Sequence, residues 1–172
     1  MDASLQSGSL QFAAWFDITP FTWIGILTCA ACGWILGIER QIRGKPVGIR
    51  TATLIILGTY LFMRLAMSLS ETSLDHARVL GQIITGVGFL GAGVMMARDG
   101  QIHGVTSAAA VWLMASLGLT IALGYERQAF IICLLALFIL VGMDLIENSF
   151  STLRQGVHAR WKKKRNRLVK RP

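Results

Sequence analysis

The sequence predicts an all-α, polytopic membrane protein with five transmembrane helices, an N-terminus outside and a cytoplasmic C-terminus. Of its 172 residues, 53% are hydrophobic and 15% are charged, against roughly 25% charged residues in ordinary globular domains. The mean hydropathy is +0.56. Five apolar runs account for this composition, and nine of the 17 Lys and Arg residues follow the last run, between Arg154 and Arg171. The apolar composition thus predicts that the chain lies in a membrane, and the distribution of Lys and Arg predicts its orientation there.

Three parts are predicted: an extracytoplasmic or interfacial segment at residues 1–19, a five-span membrane domain at 20–148 and a basic cytoplasmic tail at 149–172. Residues 1–17 contain no Lys or Arg, so they lack the basic region of a cleaved signal peptide. The apolar and aromatic residues up to Ile18 are expected at the level of the lipid headgroups. The first span is therefore expected to be retained.

The first span is predicted at residues 20–38. Thr19 is a favoured N-cap residue, and Pro20 is tolerated at the first helical position. Glu39 and Arg40 are expected to end the apolar run. At a rise of about 1.5 Å per residue, the span reaches roughly 28 Å, close to the thickness of the hydrocarbon layer.

The other four spans are predicted at residues 51–68, 79–97, 105–124 and 129–146. The polar connection at residues 39–50 is the densest charge cluster before the tail. Residues 71–78 and 125–127 form two further connections, and residues 98–104 form a short polar turn. The fifth span is rich in Leu, Ile and Phe and is expected to face more lipid than the others.

Orientation follows from the positive-inside rule, which assigns the side richer in Lys and Arg to the cytoplasm. With the N-terminus outside, the inner segments hold 14 of these residues, namely Arg40, Arg43, Lys45, Arg50, Arg98 and the nine of the tail. The outer loops hold only Arg78 and Arg127. A basic tail beside a span is typical of contact with anionic lipid, and no nucleic-acid partner is expected.

Residues 82–93, within the third span, read Gln-Ile-Ile-Thr-Gly-Val-Gly-Phe-Leu-Gly-Ala-Gly. Gly86, Gly88 and Gly91 match the glycine fingerprint of a nucleotide-binding loop, but that fingerprint needs a preceding strand and an acidic residue about 20 positions later. Apolar residues flank the glycines on both sides instead. The pattern is more typical of a membrane helix whose small residues let another helix approach closely.

Two small-residue faces are predicted to pack together. On the third span the residues are Gly81, Thr85, Gly88 and Ala92; on the fourth they are Ala108, Ala115, Gly118 and Ala122. Whether the glycines of the third span are covered within the chain, by a second copy or by a foreign helix is left open.

Charged residues at the edge of the bilayer are candidates for function. Glu39 is predicted to form a clamp with Arg40, Arg43 or Arg50, because a paired buried charge is the less costly arrangement; a carboxylate that binds a cation or a partner is the alternative. Arg64 is expected to extend to the outer interface, and pairing with Glu71 or Asp75 is its alternative.

Catalytic and metal sites are not predicted. No carboxylates lie at ligand spacing within a span, and His76 and His103 fall in connections on opposite sides. Cys29, Cys32 and Cys133 lie in apolar runs and are expected to be buried. The sequence contains no hydrolase or protease motif, so a non-enzymatic protein without cofactors is expected.

Four motifs in order resemble the MgtC/SapB family of bacterial inner-membrane proteins. They are residues 37–41 (Gly-Ile-Glu-Arg-Gln), 45–51 (Lys-Pro-Val-Gly-Ile-Arg-Thr), 82–93, and 104–112 (Gly-Val-Thr-Ser-Ala-Ala-Ala-Val-Trp) followed by Gly118. The resemblance implies a five-span membrane domain linked to magnesium limitation and to survival in hosts or in acid. For some members it implies regulation of other membrane complexes, including the F-type ATP synthase. It does not imply established magnesium transport.

The chain resembles the short, SapB-like form, since about 24 residues, rich in Lys and Arg, take the place of a soluble C-terminal domain. The candidate functional or packing residues that match the family are Glu39, Arg40, Pro46, Gly48, Arg50, Thr51, Gln82, Gly86, Gly88, Gly91, Gly93, Thr106 and Trp112. A multi-pass protein of the bacterial inner membrane is expected, with lipid, another membrane protein or a second copy as its partners. A cation or small-solute transporter, gated near Glu39 and Arg50, is the alternative function.

Overall fold

Five helices and one hairpin make up the part of the chain that the computed structural model describes, residues 16–69, 72–98 and 101–149. The helices are α1 (Trp23–Ile42), α2 (Ile49–Leu69), α3 (Ser73–Val94), α4 (Val105–Ala122) and α5 (Glu126–Ser149), and the strands are β1 (Met96–Arg98) and β2 (Gln101–His103). Most of the predicted N-terminal segment and nearly all of the basic tail lie outside the described residues.

The predicted membrane fold is confirmed. Within the described residues, the four helices α1 to α4 are each long and apolar enough to cross a bilayer. The fifth predicted helix is present as α5, and its crossing stays a prediction from its apolar sequence. The placement of the two termini on opposite sides of the membrane also stays a prediction.

The start of α1 differs from the sequence prediction. Thr22, not Thr19, is the N-cap, and its hydroxyl oxygen accepts a hydrogen bond from the Gly25 backbone N–H at 3.1 Å. Thr19 lies in a preceding turn, where its hydroxyl and its backbone N–H both donate to the Asp17 carboxylate. These two bonds, that of the hydroxyl first, hold the pKa of Asp17 below its ordinary value. Both threonines suit a cap, so sequence alone does not choose between them.

Two other predicted boundaries were wrong. Glu39 and Arg40 do not end the first helix, which continues to Ile42 because both side chains find a buried environment. The predicted connection at residues 71–78 is helical from Ser73 onward, with Asp75 in the first turn of α3. A carboxylate there interacts favourably with the positive end of the helix dipole.

The end of the third span also differs. Helix α3 stops at Val94, and residues predicted as span and turn form an antiparallel hairpin in which Met96 pairs with His103. Gly104 has a φ of 89°, and a Cβ there would lie 2.5 Å from the Val94 carbonyl oxygen. Only glycine allows the chain to pass so close to the end of α3 in this conformation.

Helix α4 lies at the centre of the bundle and contacts α1, α2 and α3. Its buried residues occupy more than one side of the helix, as expected for a helix surrounded by neighbours. Helix α3 is the opposite case, since only Val87 and Gly91 are buried in it. The helices therefore differ sharply in how much of their surface the chain itself covers.

The chain forms two compact units, one up to Leu134 and one from Leu135 onward. In the first, the early part of α5 has Ala129 and Cys133 fully buried. The Cys133 thiol donates to the Cys32 carbonyl oxygen on α1, at 3.8 Å. In the second, the described part is the remainder of α5, in which Gly142 lies beside the Phe138 ring.

Candidate functional site

A buried charged cluster lies at the end of α1. Glu39 and Arg40 are only 8% and 3% exposed. The Arg43 Nε atom lies 2.9 Å from Glu39 Oε1, and the Arg40 Nη1 atom lies 3.9 Å from Glu39 Oε2. Arg40 also donates through Nη2 to the Ser107 hydroxyl at 2.5 Å. The last bond connects the end of α1 to the first turn of α4.

The cluster is held by charge more than by hydrogen bonds. Despite the short approach of Arg43, neither Glu39 carboxylate oxygen has a partner with hydrogen-bond geometry, and neither does Arg40 Nε. The 2.9 Å approach of Arg43 still forms an ion pair, because Coulomb attraction depends weakly on angle whereas a hydrogen bond depends strongly on it. Two guanidinium groups around one carboxylate leave a net positive charge. This arrangement corresponds to the predicted clamp formed by Arg40 and Arg43, and Arg50 takes no part in it.

The connection after α1 is tightly folded against the first turn of α2. The Gln41 side-chain oxygen accepts from the Ile49 backbone N–H at 3.4 Å, and it also lies beside Gly48. Val47 adopts a φ of 71°, and its side chain packs on a core cluster of Val87, Val111 and Ala115. Pro46, which matches the family motif, is exposed in this loop.

Arg64 makes a contact that neither sequence interpretation included. Its Nε donates to the Pro20 carbonyl oxygen at 2.8 Å, and its Nη2 donates to the same atom. Arg64 is half-buried there, and its predicted extension to the outer interface stays a prediction. Of the alternative partners, Glu71 lies outside the described residues.

The glycines of α3 are mostly uncovered. A Cβ placed on Gly81, Gly86, Gly88 or Gly93 would meet nothing within 4 Å, whereas one on Gly91 would lie 3.6 Å from the Ala108 carbonyl oxygen. Helices α3 and α4 are neighbours, as predicted. Their contact runs through Gly91 and the Val87 cluster, however, and the predicted contact through Gly81 and Gly88 was wrong.

Close helix contacts occur at glycines that the sequence interpretation did not select. A Cβ on Gly33 would lie 2.5 Å from Thr53, and one on Gly37 would overlap the Ile49 backbone, so α1 and α2 pack closely. Gly118 faces the Ile56 carbonyl oxygen on α2, not α3 as predicted. Gly33 and Gly37 form a G-x-x-x-G pattern, a sequence signal for close helix packing that would have found them.

An open groove of about 730 Å³ separates α2 from α3 along much of their length. Thr51, Gln82 and Gly86, three of the predicted residues, line it together with mainly apolar side chains such as Leu54 and Leu90. Within the described residues the Gln82 amide has no hydrogen-bond partner.

Two further predicted residues, Thr106 and Trp112, are exposed on α4. Thr106 is exposed, and it is the adjacent Ser107, buried in the first turn of α4, that binds Arg40. Trp112 is 56% exposed and borders a small cleft of about 70 Å³ between α3 and α4. Sequence reasoning missed Ser107 because nothing in a serine within an Ala-rich run distinguishes it from its neighbours.

No group of three or more His, Cys, Asp or Glu side chains that could hold a metal ion occurs within the described residues. Cys29, Cys32 and Cys133 are free and fully buried. Their thiols fill space between helices, as predicted from their apolar surroundings.

Comparison with known proteins decides the family. The model of the MgtC family matches residues 26–149, which include all five helices apart from the first turn of α1. The chain belongs to the MgtC family. It is accordingly a membrane protein with several candidate spans, as the sequence predicted.

Three relatives represent the family in the comparison. YhiD of Escherichia coli strain K12, named "Putative magnesium transporter YhiD", is 45% identical over 109 residues, covering 59% of this chain and 50% of the relative. MgtC of Salmonella typhimurium strain LT2 is 35% identical over 106 residues, covering 62% and 45%. SapB of Bacillus subtilis strain 168 is 31% identical over 131 residues, covering 72% and 54%. The chain thus spans about half the length of the curated relatives it matches, and no solved structure matches it.

Proposed function

We propose that this MgtC-family protein is a non-enzymatic regulator that packs the exposed side of α3 against a helix of another membrane complex. The resemblance to the family suggests an ATP synthase or a transporter as that complex, and magnesium limitation or acid or host stress as the condition. The observation that carries the proposal is the uncovered glycine-rich side of α3.

The side in question consists of Gly81, Thr85, Gly88 and Ala92, which recur at helical spacing along α3. All four are exposed, and a Cβ on Gly81 or Gly88 would meet no neighbouring element of the described residues within 4 Å. In a bilayer, small residues at such spacing allow two backbones to approach and gain van der Waals contact that lipid does not provide. Elsewhere in this protein, at Gly33 and Gly118, glycines are used for that purpose.

Partner capture tests the proposal. Gly88→Leu and Ala92→Leu each place a bulky side chain on the exposed side of α3. We expect both variants to insert normally and to lose co-purification of the partner complex from detergent-solubilised membranes. Ala31→Leu is the matched control, because Ala31 is exposed on α1 and the change adds the same volume. Equal capture by all four proteins would refute the proposal.

The second candidate is transport of Mg²⁺ or another cation or small solute through the Glu39 region. The name of YhiD and the two Glu39 oxygens without hydrogen bonds favour it. Against it stand two arginines within 4 Å of that carboxylate, which repel a cation and occupy its ligand. Reconstituted liposomes carrying verified, inserted protein should show no Mg²⁺ flux under an imposed gradient. Flux that Glu39→Gln abolishes would favour transport over regulation.

A further inference from the structure

The groove between α2 and α3 has one mainly apolar wall along each helix. Both helices are candidate membrane spans, so the groove opens toward lipid tails over most of its length. Its volume of about 730 Å³ lies within the roughly 300–1,000 Å³ of typical small-molecule sites. Gly58 and Gly86 line it from opposite sides, and nothing lies within 4 Å of a Cβ on either.

Positive charge marks the end of the groove where α2 begins. Thr51 lines the groove, and the preceding residue, Arg50, is exposed in the first turn of the helix. Within the described residues, Arg50 makes no ion pair and no side-chain hydrogen bond. The start of a helix adds the partial positive charge of its free N–H groups. Lys45 is exposed in the connection just before α2.

We propose that this groove binds one acyl chain of an anionic phospholipid, whose phosphate is held by Arg50 at the start of α2. A guanidinium group matches a phosphate in charge and in its paired donors. One leaflet of the hydrocarbon layer is roughly 15 Å thick, which at about 1.5 Å per residue corresponds to α2 from Thr51 to about Tyr60. The missing side chain of Gly58 falls within that depth and leaves space for the chain.

Charge complementarity favours an anionic lipid as the occupant. Neither wall of the groove supplies an anion for Arg50, because α2 and α3 carry no acidic residue between Arg50 and Leu69 or between Val79 and Val94. An anionic lipid carries its phosphate at the edge of the hydrocarbon layer, level with Arg50. Anionic lipids are also abundant on the cytoplasmic leaflet, the side to which the charge distribution assigns the start of α2.

The lipid site is separate from the surface proposed for a partner complex. The groove is lined by Gly86 and Leu90 on α3, whereas the partner surface contains Gly81, Gly88 and Ala92 on an adjoining side of the same helix. Failure of either proposal therefore leaves the other standing. The lipid site needs only purified protein for its test.

Native mass spectrometry of the full chain in detergent tests the site, with phosphatidylglycerol and phosphatidylcholine of identical acyl chains as probes. We expect the wild-type chain to retain phosphatidylglycerol preferentially and Arg50→Gln to lower that affinity about tenfold, the loss of one charge-assisted hydrogen bond. Arg127→Gln is the matched control, since Arg127 is exposed at the start of α5 and the charge change is the same. Equal retention of the two lipids, or equal loss in the two variants, would overturn the proposal.

Filling the groove tests the acyl chain separately from the phosphate. Gly58→Leu should lower phosphatidylglycerol retention while leaving Arg50 in place. If that variant does not fold, Gly86→Leu is the substitute. Undiminished retention would show that the lipid is held outside the groove. Inorganic phosphate should not displace the lipid at equal concentration; displacement would identify a site for free phosphate instead. If the wild-type chain is a dimer without bound lipid and both groove variants are monomers, a second copy is the occupant of the groove.

Discussion

Gly118 provides the sharpest test of how the helices pack. It is buried in α4, and a Cβ there would overlap the Ile56 carbonyl oxygen and the Thr59 hydroxyl of α2. Neither neighbour can yield easily. The first is helix backbone, and the second donates its hydroxyl to the Ile55 and Ile56 carbonyl oxygens, at 3.0 Å each.

Replacing Gly118 with alanine should therefore separate α4 from α2. Inserting one carbon atom into a closely packed interior lowers stability by about 1–3 kcal/mol, and the rigid neighbours here place the change at the upper end. Gly88→Ala is the matched control, because nothing lies within 4 Å of its Cβ. At position 88, alanine instead stabilises the helix by about 0.5–1 kcal/mol relative to glycine. We expect the two variants to differ by roughly 3 kcal/mol in the free energy of unfolding.

Equilibrium unfolding in mixed micelles, with increasing fractions of SDS and tryptophan fluorescence as the signal, measures this difference. Both variants must first be shown to insert into membranes in equal amounts. A loss at Gly118 no greater than that at Gly88 would refute the close α2–α4 contact. A loss at both positions would instead mean that α3 is covered within the chain.

Two further predictions concern the charged cluster and the orientation. Ser107→Ala should lower the free energy of unfolding by about 1–3 kcal/mol, because the buried Arg40 guanidinium loses a hydrogen bond. Thr106→Ala, at the exposed neighbouring residue, should change it little. Equal effects of the two variants in the unfolding assay would contradict the Arg40–Ser107 bond. In a chain with its native cysteines replaced, a cysteine introduced as Ser7→Cys should react with an impermeant maleimide in intact cells, and one introduced as Ser151→Cys should react only after lysis. The reverse pattern would invert the predicted topology.

The sequence predicted the helices well because their cause is local. A run of about 20 apolar residues must be helical in a bilayer, since every backbone N–H and C=O group needs an internal partner. The ends were less predictable. Thr19 and Thr22 are equally suited to cap a helix, and the choice depends on Tyr60, 38 positions later in sequence, whose hydroxyl accepts from the Thr22 backbone N–H at 2.9 Å.

Which helix faces meet was predicted least well, and the reason is physical. Lipid tails and a protein interior are equally apolar, so hydrophobicity does not distinguish a buried side of a membrane helix from an exposed one. Small residues occur on both: Gly33 is buried against α2, whereas Gly88 is uncovered. The sequence marks Glu39 and Arg40 as charged residues after an apolar run, but only the fold brings Ser107 to Arg40.

The loose packing of α3 has a consequence for the path of the chain. Helices α2 and α4 contact each other, yet they are separated by one span and so cross the membrane in the same direction. Two parallel neighbours need a segment that returns the chain to the side where it started, as a crossover does for two parallel strands. Helix α3 is that return segment. The need to cross the bilayer sets the length and apolarity of α3. Packing within the chain constrains few of its surface residues, so these residues can vary with the partner that α3 contacts.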